Sequence, residues 1–400
     1  MVPLGRRTVL RAGAAGIGLG LAGCLGLGES PRWPSFRNGG SNAGGTRAAP
    51  GGDLAVGWER DLASTFEVPA QAVTASSSVA DEARAYVAAR LEAEGATGTG
   101  VLAFDPADGS VDWRRQLEHD LPEARPLVHP PIVAEEFVFV VAGDRGVAFD
   151  RETGRTHLEF DLPWVPTTAP GGDRYLIALG GDLVSLVDLE ETEGVRWDRA
   201  GDGSRIDPIS PITVIEDRMY VPVGGRLMTL RRGDGITLRE DALPRDGTAA
   251  APPQVDGLFL HLRVTRADGA DELVAWRRDN RAVEWHEPLS AASDGAVTTD
   301  VLHGGKRYVP DGSDLVALFV GSGERDWRRD VGVHARYPTV GGESVYLLGD
   351  DQLVVVDRQD GAVRGEVDLP GSPAPTPVEA VPRAQALLVT RDDRLLGLAE

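Results

Sequence analysis

Apolar and polar positions repeat along this chain in a two-strand pattern. The clearest copy is VLAFDPADGSVDWRRQL, residues 101–117. Residues 101–104 form a short apolar run, and residues 105–109 supply the Asp, Pro and Gly of a tight turn. Residues 111–117 then alternate apolar with polar side chains, as a half-buried strand does. The pattern predicts a β-hairpin.

Variants of this hairpin recur at intervals of 37 to 46 residues. A repeat of this length built from short strands is typical of the blades of a β-propeller, whereas helical repeats would show a 3.6-residue rhythm. We therefore predict an all-β fold, an eight-bladed β-propeller of four-stranded antiparallel blades, over residues 53–400. The later copies begin at Gly146, Leu183, Leu227, Leu273, Leu315 and Leu353, and the first half of another begins at Leu395.

The two ends of the repeat region complement each other. Residues 56–62, VGWERDL, match the return strand 111–117 but have no hairpin of their own, and the copy at Leu395 lacks its return strand. We expect the ends to pair, so that an N-terminal strand closes the ring and removes the exposed sheet edges. Residues 85–91 are assigned to a strand despite their helix propensity, because the period requires one before the Gly-rich turn 95–100.

Residues 1–23 are predicted to be an export signal rather than part of the fold. Arg6 and Arg7 precede a short apolar run, as in a twin-arginine signal, and residues 21–24 (LAGC) resemble a lipobox. Cys24, the only cysteine, is the predicted lipid attachment site; the alternative is a lone buried or incidental thiol. Residues 24–52 are rich in Gly, Ser and Pro and are predicted to be a flexible tether, whose aromatic segment 33–40 lies against the propeller. The protein is then expected to be exported and lipid-anchored to the extracellular face of the cell membrane.

The net charge of −21 argues against nucleic acid as a partner, because phosphates require a basic surface. The acidic residues are spread along the chain, and Lys306 is the only lysine. Such a surface indicates either solubility through self-repulsion or adaptation to high salt, as in salt-loving archaea.

The run AFDPADGSVDW, residues 103–113, resembles the repeat of pyrroloquinoline-quinone-like (PQQ-like) β-propellers. The chain is similar in this to haloarchaeal surface lipoproteins exported with twin-arginine signals, and to the barrel-assembly propeller lipoprotein of bacterial outer membranes. The resemblance implies that the repeat tryptophan docks against a neighbouring blade; carbohydrate stacking is the alternative role. Leu158, Leu238 and Gly365 are aligned where the Trp is missing, and Arg281 stands where the turn Gly is expected. The docking residues are Trp58, Trp113, Trp197, Trp285 and Trp327.

Little in the sequence predicts chemistry. The Asp-rich turns could be calcium loops, but Asp-Pro and Asp-Gly are ordinary turn residues. The seven histidines form no pair at metal-ligand spacing, and no nucleophile elbow, P-loop or dinucleotide fingerprint is present. We assign no catalytic, cofactor-binding or metal-binding residue and expect no cofactor.

Three functions stay open. A cell-surface scaffold that binds a protein or a surface polymer is favoured, because a propeller offers loop-lined faces on a stiff frame. A quinone-dependent dehydrogenase is the enzymatic branch that the resemblance implies. It would use a calcium-ligating asparagine and often a vicinal cysteine pair, but the chain has no such pair and its asparagines are Asn38, Asn42 and Asn280. A polysaccharide lyase or hydrolase would require acidic and basic side chains converging on one face.

Overall fold

The structure is a computed structural model of the protein. Its described part contains thirty-five strands. The side chains of residues 45–46, 93, 96, 119, 167–200 and 379–381 are not described. The structure describes residues 45–46, 50, 53–69, 73–76, 78–80, 84–93, 96–119, 130–133, 136–143, 145–161, 167–170, 175–180, 183–188, 195–200, 212–289, 299–334, 338–370, 379–381, 386–391 and 393–400.

The first strands come before and within blade 1. They are β1 (Gly45–Thr46) and β2 (Ala55–Asp61), then, after the short helix α1 (Leu62–Phe66), β3 (Val73–Ala75), β4 (Val79–Ala80), β5 (Ala85–Ala93), β6 (Ala96–Phe104) and β7 (Val111–His119). Blade 2 has β8 (Ile132–Val133), β9 (Phe137–Ala142), β10 (Arg145–Asp150) and β11 (Thr156–Asp161). Blade 3 has β12 (Thr167–Pro170), β13 (Tyr175–Gly180), β14 (Leu183–Asp188) and β15 (Val195–Ala200).

The remaining strands follow the same order. Blade 4 has β16 (Thr213–Ile215), β17 (Arg218–Val223), β18 (Arg226–Arg231) and β19 (Thr237–Ala242). After a 3-10 turn at Pro244–Asp246, blade 5 has β20 (Thr248–Ala249), β21 (Gln254–Asp256), β22 (Phe259–Thr265), β23 (Asp271–Arg277) and β24 (Val283–Pro288). Blade 6 has β25 (Val301–His303), β26 (Lys306–Asp311), β27 (Asp314–Phe319) and β28 (Arg325–Asp330). Blade 7 has β29 (Thr339–Gly341), β30 (Ser344–Leu348), β31 (Gln352–Asp357) and β32 (Val363–Asp368), and the chain ends with β33 (Glu379–Val381), β34 (Ala386–Arg391) and β35 (Arg394–Ala399).

The turn that organises each blade is visible at residues 105–110. The amide of Gly109 donates to the carbonyl of Asp105 (2.8 Å), and the amide of Asp105 donates to the carbonyl of Ser110 (2.9 Å). Gly109 has a φ of +70°, a conformation that side chains with a Cβ rarely adopt. Gly154, Gly323 and Gly361 have the same conformation in their blades, so the repeated glycine is a backbone requirement.

Within a blade the strands are antiparallel in sequence order, and the first of them is the innermost. The turn between the first and second strands lies beside the turn between the third and fourth: the amide of Arg278 donates to the carbonyl of Leu258 (2.8 Å), and that of Arg358 to Glu343 (3.0 Å). We call the end of the ring with these two turns the hairpin face. The opposite end, with the turns between second and third strands and the connections between blades, is the loop face.

The ring closes through a composite sheet of the order β2-β35-β34-β33. In it Trp58 pairs with Gly397 and Glu59 with Leu396, as the pairing of the two ends predicts. The strand β33 contacts the innermost strands β29 of blade 7 and β4 of blade 1. One buried cluster joins Val355 of blade 7, Leu396 of the closing sheet and Phe104 of blade 1.

The predicted number of eight blades is wrong. Eight sheets are described, but only seven are blades formed by one continuous stretch of chain; the remaining sheet is assembled from both ends because the last repeat lacks its outer strand. Nor are the sheets uniform. In blades 1 and 5 two short segments share the innermost position, and in blade 7 a fifth strand is added in parallel.

Two local predictions meet different outcomes. The strand at residues 85–91 is confirmed and extends over Ala85–Ala93. The turn predicted at 95–100 is wrong, because β6 already begins at Ala96. Glycine is needed there for close packing: a Cβ at Gly100 would lie 2.7 Å from the Phe66 ring, and one at Gly98 would lie 2.9 Å from the Leu117 carbonyl oxygen.

The hydrophobic core lies between neighbouring blades rather than in one central mass. Val101 and Trp113 of blade 1 share a buried cluster with Val138 and Phe149 of blade 2. Among the described side chains, such clusters join blades 1 and 2, 4 and 5, 5 and 6, and 6 and 7, so neighbouring blades stabilise each other. Among the described residues, no helix has the length and apolar character to span a membrane.

Candidate functional site

Tryptophan side chains bridge adjacent sheets at four described junctions. The Nε1 of Trp58 donates to the Pro106 carbonyl of blade 1 (3.1 Å), and that of Trp113 donates to the Arg151 carbonyl of blade 2 (3.1 Å). The later junctions repeat the geometry, with Trp285 donating to Val320 (2.7 Å) and Trp327 to Arg358 (3.3 Å). Trp197 pairs with Leu186 in the backbone register, and its side chain lies outside the described part.

The indole rings lie against the turn glycines of the next blade. A Cβ at Gly154 would lie 2.5 Å from the Trp113 ring, and one at Gly323 would lie 2.5 Å from the Trp285 ring. Two residues after the tryptophan, Arg115 donates from Nε to the Gly154 carbonyl (2.6 Å). Arg60 does the same to Gly109 (2.6 Å). These rings are buried or half-buried, which leaves little of each face for a sugar to stack upon.

The junction between blades 4 and 5 is built differently. Strand pairing places Arg239 opposite Thr229, just as it places Trp113 opposite Ala103 in blade 1. Arg239, and not Leu238, therefore occupies the tryptophan position. The prediction for Leu238 is wrong because Arg239, and not Leu238, follows the turn glycine Gly235 at the spacing that separates Trp113 from Gly109. Leu238 is instead 42% exposed.

Arg281 takes the space that the missing indole leaves. It stands at the turn-glycine position with a φ of +62°, and its side chain is only 4% exposed. Its guanidinium donates to the Arg278 carbonyl (2.8 Å), to Thr229 Oγ1 (2.8 Å) and to Asp241 Oδ2 (3.1 Å). Arg239 donates to the other oxygen of Asp241 (2.7 Å). Three charged residues, Arg239, Asp241 and Arg281, thus stand where the other junctions have Trp, Arg and Gly, in that order.

A buried polar group lies between blades 5 and 6. Arg307 is 1% exposed, pairs with the Asp300 carboxylate and lies over the Trp285 ring, with its guanidinium carbon 5.9 Å from the ring centre. Gln254 donates to the Asp300 carbonyl (2.5 Å). Each of these contacts crosses or borders the junction, so the group holds the two blades together.

His261 lies within this polar group without any hydrogen-bond partner among the described residues. Burial, and then the neighbouring Arg307 guanidinium, lower the pKa of His261 to about 3. The ring is therefore neutral at ordinary pH. It stands at the strand position that carries Tyr86, Tyr220, Tyr308 and Tyr346 in other blades, which indicates a packing role rather than a metal ligand.

The Asp-rich turns use their carboxylates internally. Asp105 accepts from the Ala107 amide (2.8 Å) and Asp108 from the Ser110 amide (2.8 Å). The hydrogen bonds from Ser110 lower the pKa of Asp108. In the part of the chain that the structure describes, no group of three or more His, Cys, Asp or Glu side chains could hold a metal ion.

A calcium-bound quinone does not fit the described residues either. Asn280, the asparagine of the repeat region, lies in a hairpin turn, and its Oδ1 accepts from the Ala282 amide (2.8 Å). It lies on the hairpin face, where its carbonyl accepts from Arg239 (3.4 Å), and not on an innermost strand. With no metal-ligating cluster among the described side chains, the donors for calcium are not brought together.

The hairpin face is where exposed apolar side chains collect. Among the described residues, every large apolar side chain that is exposed lies in a turn of this face or at the adjoining strand end, and Leu258 is the most exposed at 64%. Blades 4 and 5 carry four of them and blade 6 carries one. The set is Val111, Ile236, Leu238, Leu258, Val283, Phe319 and Val363.

The sequence analysis does not predict this surface, because it uses the turn residues only to mark where strands begin and end. Leu258 follows a turn glycine, and Val283 begins an outer strand; apolar residues at such positions are the signal that could have identified it. The predicted export and lipidation residues Arg6, Arg7 and Cys24, and the aromatic segment 33–40, lie outside the described residues.

Comparisons with known proteins agree on the fold. A family model described as the outer membrane protein assembly factor BamB matches residues 48–257 and 261–397. The crystal structure of BamB from Moraxella catarrhalis is similar, with a TM-score of 0.61 and 12% identity over 87% of this chain and 100% of that one. A quinohemoprotein alcohol dehydrogenase, ADHIIG from Pseudomonas putida HK5, has a TM-score of 0.53 and 11% identity over 84% of this chain and 77% of that one. Among curated proteins, none matches significantly.

Proposed function

Because this chain belongs to the family of the outer membrane protein assembly factor BamB, a PQQ-like β-propeller family, we propose that it is a non-enzymatic binding or assembly scaffold. It is held at the cell surface by a lipid on Cys24 and binds a protein partner through its hairpin face. The family relationship confirms the predicted PQQ-like propeller. The resemblance to haloarchaeal surface lipoproteins stays a prediction.

The distribution of exposed apolar side chains carries this proposal. Soluble surfaces tolerate scattered apolar residues, but a concentration at one end of a rigid body is typical of a protein-binding surface. Here the exposed residues of blades 4 and 5, Ile236, Leu238, Leu258 and Val283, stand among arginine side chains such as Arg278. Arginine is among the residues enriched at binding hot spots, so these guanidinium groups supply polar contacts beside the apolar side chains.

The names of the relatives support two different activities. BamB is described as an assembly factor, whereas the Pseudomonas relative is described as an alcohol dehydrogenase. At 12% and 11% identity, the two solved structures themselves show the shared fold alone. The donor set favours the scaffold: the described residues offer exposed binding surface, and among them no group of side chains could hold the calcium of a bound quinone.

The membrane anchor is supported by sequence alone. Arg6 and Arg7 precede an apolar run that ends at Cys24. We expect the mature protein to begin at a lipidated Cys24, and Cys24→Ser to release it into the medium or leave it unprocessed. Intact mass and fractionation of the two proteins test this. A Cys24→Ser protein that stays in the membrane at the mature size would reveal another anchor.

Binding is tested by co-purification from gently solubilised membranes, followed by mass spectrometry. We compare the parent with Leu258→Ser/Val283→Ser, which removes two exposed apolar side chains of the hairpin face. The control, Asp268→Ser/Asp351→Ser, changes two exposed turns of the loop face. Losing two apolar contacts of about 1.5 kcal/mol each predicts a decrease of 10-fold or more in recovered partner.

The control should recover as much partner as the parent. An equal loss from both double variants, or undiminished recovery with Leu258→Ser/Val283→Ser, would contradict the assignment of the hairpin face. Circular dichroism of each variant confirms that the fold is retained, so that a loss of partner is not a loss of structure.

A further inference from the structure

The strand β1 lies inside the ring. It pairs in parallel with β29, the innermost strand of blade 7, with Gly45 opposite Val340 and Thr46 opposite Gly341. Because β29 already pairs with β30 on its other side, β1 occupies the edge that faces the axis. It also contacts β25, the innermost strand of blade 6. A piece of the predicted tether therefore lines the centre of the propeller.

The direction of β1 is fixed by this parallel pairing. The strand β29 runs from the loop face to the hairpin face, because the turn that follows it lies on the hairpin face with Glu343 and Arg358. β1 runs the same way, so its N-terminal end points to the loop face. On the hairpin side the chain then reaches Pro50, whose carbonyl accepts from the Tyr346 hydroxyl, and continues to β2 at the rim.

The length of chain between Cys24 and Gly45 limits how far the lipid can lie from the loop face. These 20 residues span at most about 70 Å when fully extended, and a Gly/Ser-rich random coil of this length has an end-to-end distance of about 25 Å. The ring is about 20 Å thick, since its strands are mostly of six residues. A tether that starts at the loop face would have to pass around the ring to place the hairpin face against the bilayer.

We propose that the loop face is turned toward the membrane and that the hairpin face points away from it. This orientation rests on the proposed lipid anchor at Cys24. It deepens the proposed function, because the exposed apolar side chains of the hairpin face are then presented to partners rather than to lipid. The strand β1 sets the orientation by fixing where the tether leaves the ring.

The orientation is measured by energy transfer to an acceptor-labelled lipid in vesicles. The protein is residues 24–400, which include every described residue, and Cys24 is coupled chemically to a maleimide lipid. A ketone-reactive donor dye is placed on p-acetylphenylalanine, which replaces either Asp268 in a loop-face turn or Asp234 in a hairpin-face turn. Both aspartates accept a hydrogen bond from the amide two residues later, so the two sites are matched.

Transfer from position 268 should be at least twofold greater than transfer from position 234. Equal transfer, or greater transfer from 234, would overturn the orientation. Because the lipid is attached chemically, failure here is separate from failure of the anchor itself, which cellular processing of Cys24 tests. Uncoupled protein with the same dyes provides the baseline, and little transfer is expected from either position.

A second pair of variants tests the role of β1. Gly45→Pro/Thr46→Pro removes the two amide donors of the strand, and we expect the difference between the two dye positions to fall toward zero. Ala48→Pro/Ala49→Pro is the control, with the same number of prolines placed after β1, and it should retain the difference. A difference that survives Gly45→Pro/Thr46→Pro would show that β1 does not set the orientation.

Discussion

The charged junction between blades 4 and 5 can be tested by rebuilding the junction that the other blades use. The triple variant Arg239→Trp/Asp241→Arg/Arg281→Gly restores the Trp, the Arg two residues later and the turn Gly. In the other junctions the indole donates to a turn carbonyl of the next blade. In this junction the equivalent carbonyl, that of Arg278, accepts instead from Arg281 of the same blade.

The single changes should each be costly. Arg281→Gly removes a buried partner of Asp241, which costs about 3 kcal/mol, but relieves a left-handed backbone conformation worth about 1 kcal/mol. The net loss is about 2 kcal/mol. Arg239→Trp alone places an indole against the Arg281 side chain and should cost about 2 kcal/mol through overpacking. Asp241→Arg leaves three arginines together and should cost about 3 kcal/mol.

Urea unfolding at constant salt, followed by far-UV circular dichroism, measures these effects without interference from the added tryptophan. If the three changes acted independently, their losses would add, and the triple variant would be destabilised by about 7 kcal/mol. We predict that the triple variant lies within about 1 kcal/mol of the parent. An additive loss would refute the reasoning that the three charged residues replace one docking unit.

Two further predictions concern ring closure and pH. Deleting residues 1–52 should leave a folded protein, whereas deleting residues 1–61 removes β2 and should lower the melting temperature, since β35 then has an exposed edge; equal melting temperatures would count against closure by this strand. The pKa of His261 is lowered to about 3, so the unfolded state binds the proton more readily, and stability should fall by about 1.4 kcal/mol per pH unit as pH drops below about 6.5. His261→Leu, which introduces the residue that Leu388 supplies at the same strand position of the closing sheet, should remove this dependence; unchanged pH profiles would show that the ring is not buried in neutral form.

The blades could be predicted from the sequence because their determinants are local. The turn at residues 105–109 needs a glycine with positive φ, and the copies in blades 2, 4, 6 and 7 also place a glycine there, whereas blade 5 has Arg281. The pairing of residues 55–61 with the C-terminal strand could be predicted as well, because both partial repeats are visible in the sequence.

The features that escaped prediction depend on residues far apart in the chain. Asp241 and Arg281 are 40 residues apart in the chain, and their contact is visible only in the folded structure. The sequence predicts a turn at Gly100 because its packing partner, Phe66, lies on a helix that the repeat pattern does not contain.

The surface and the interior strand escaped for a related reason. A two-residue strand such as Gly45–Thr46 has no sequence signature, since its pairing with Val340 is decided by the free edge of blade 7. The sequence around Leu258 likewise does not indicate a binding surface. Only the fold shows that its turn lies on the same face as the exposed Ile236 of blade 4 and Phe319 of blade 6.

The central claim, that this propeller binds partners and does not carry out quinone-dependent oxidation, is tested most directly by titration. Purified protein is titrated with pyrroloquinoline quinone and calcium while absorbance is recorded, and dye-linked oxidation of alcohols and sugars is measured in the same samples. The account predicts no saturable uptake and no oxidation, because the described residues do not assemble a calcium site and the repeat region contains one asparagine. Stoichiometric uptake accompanied by dye reduction would contradict it.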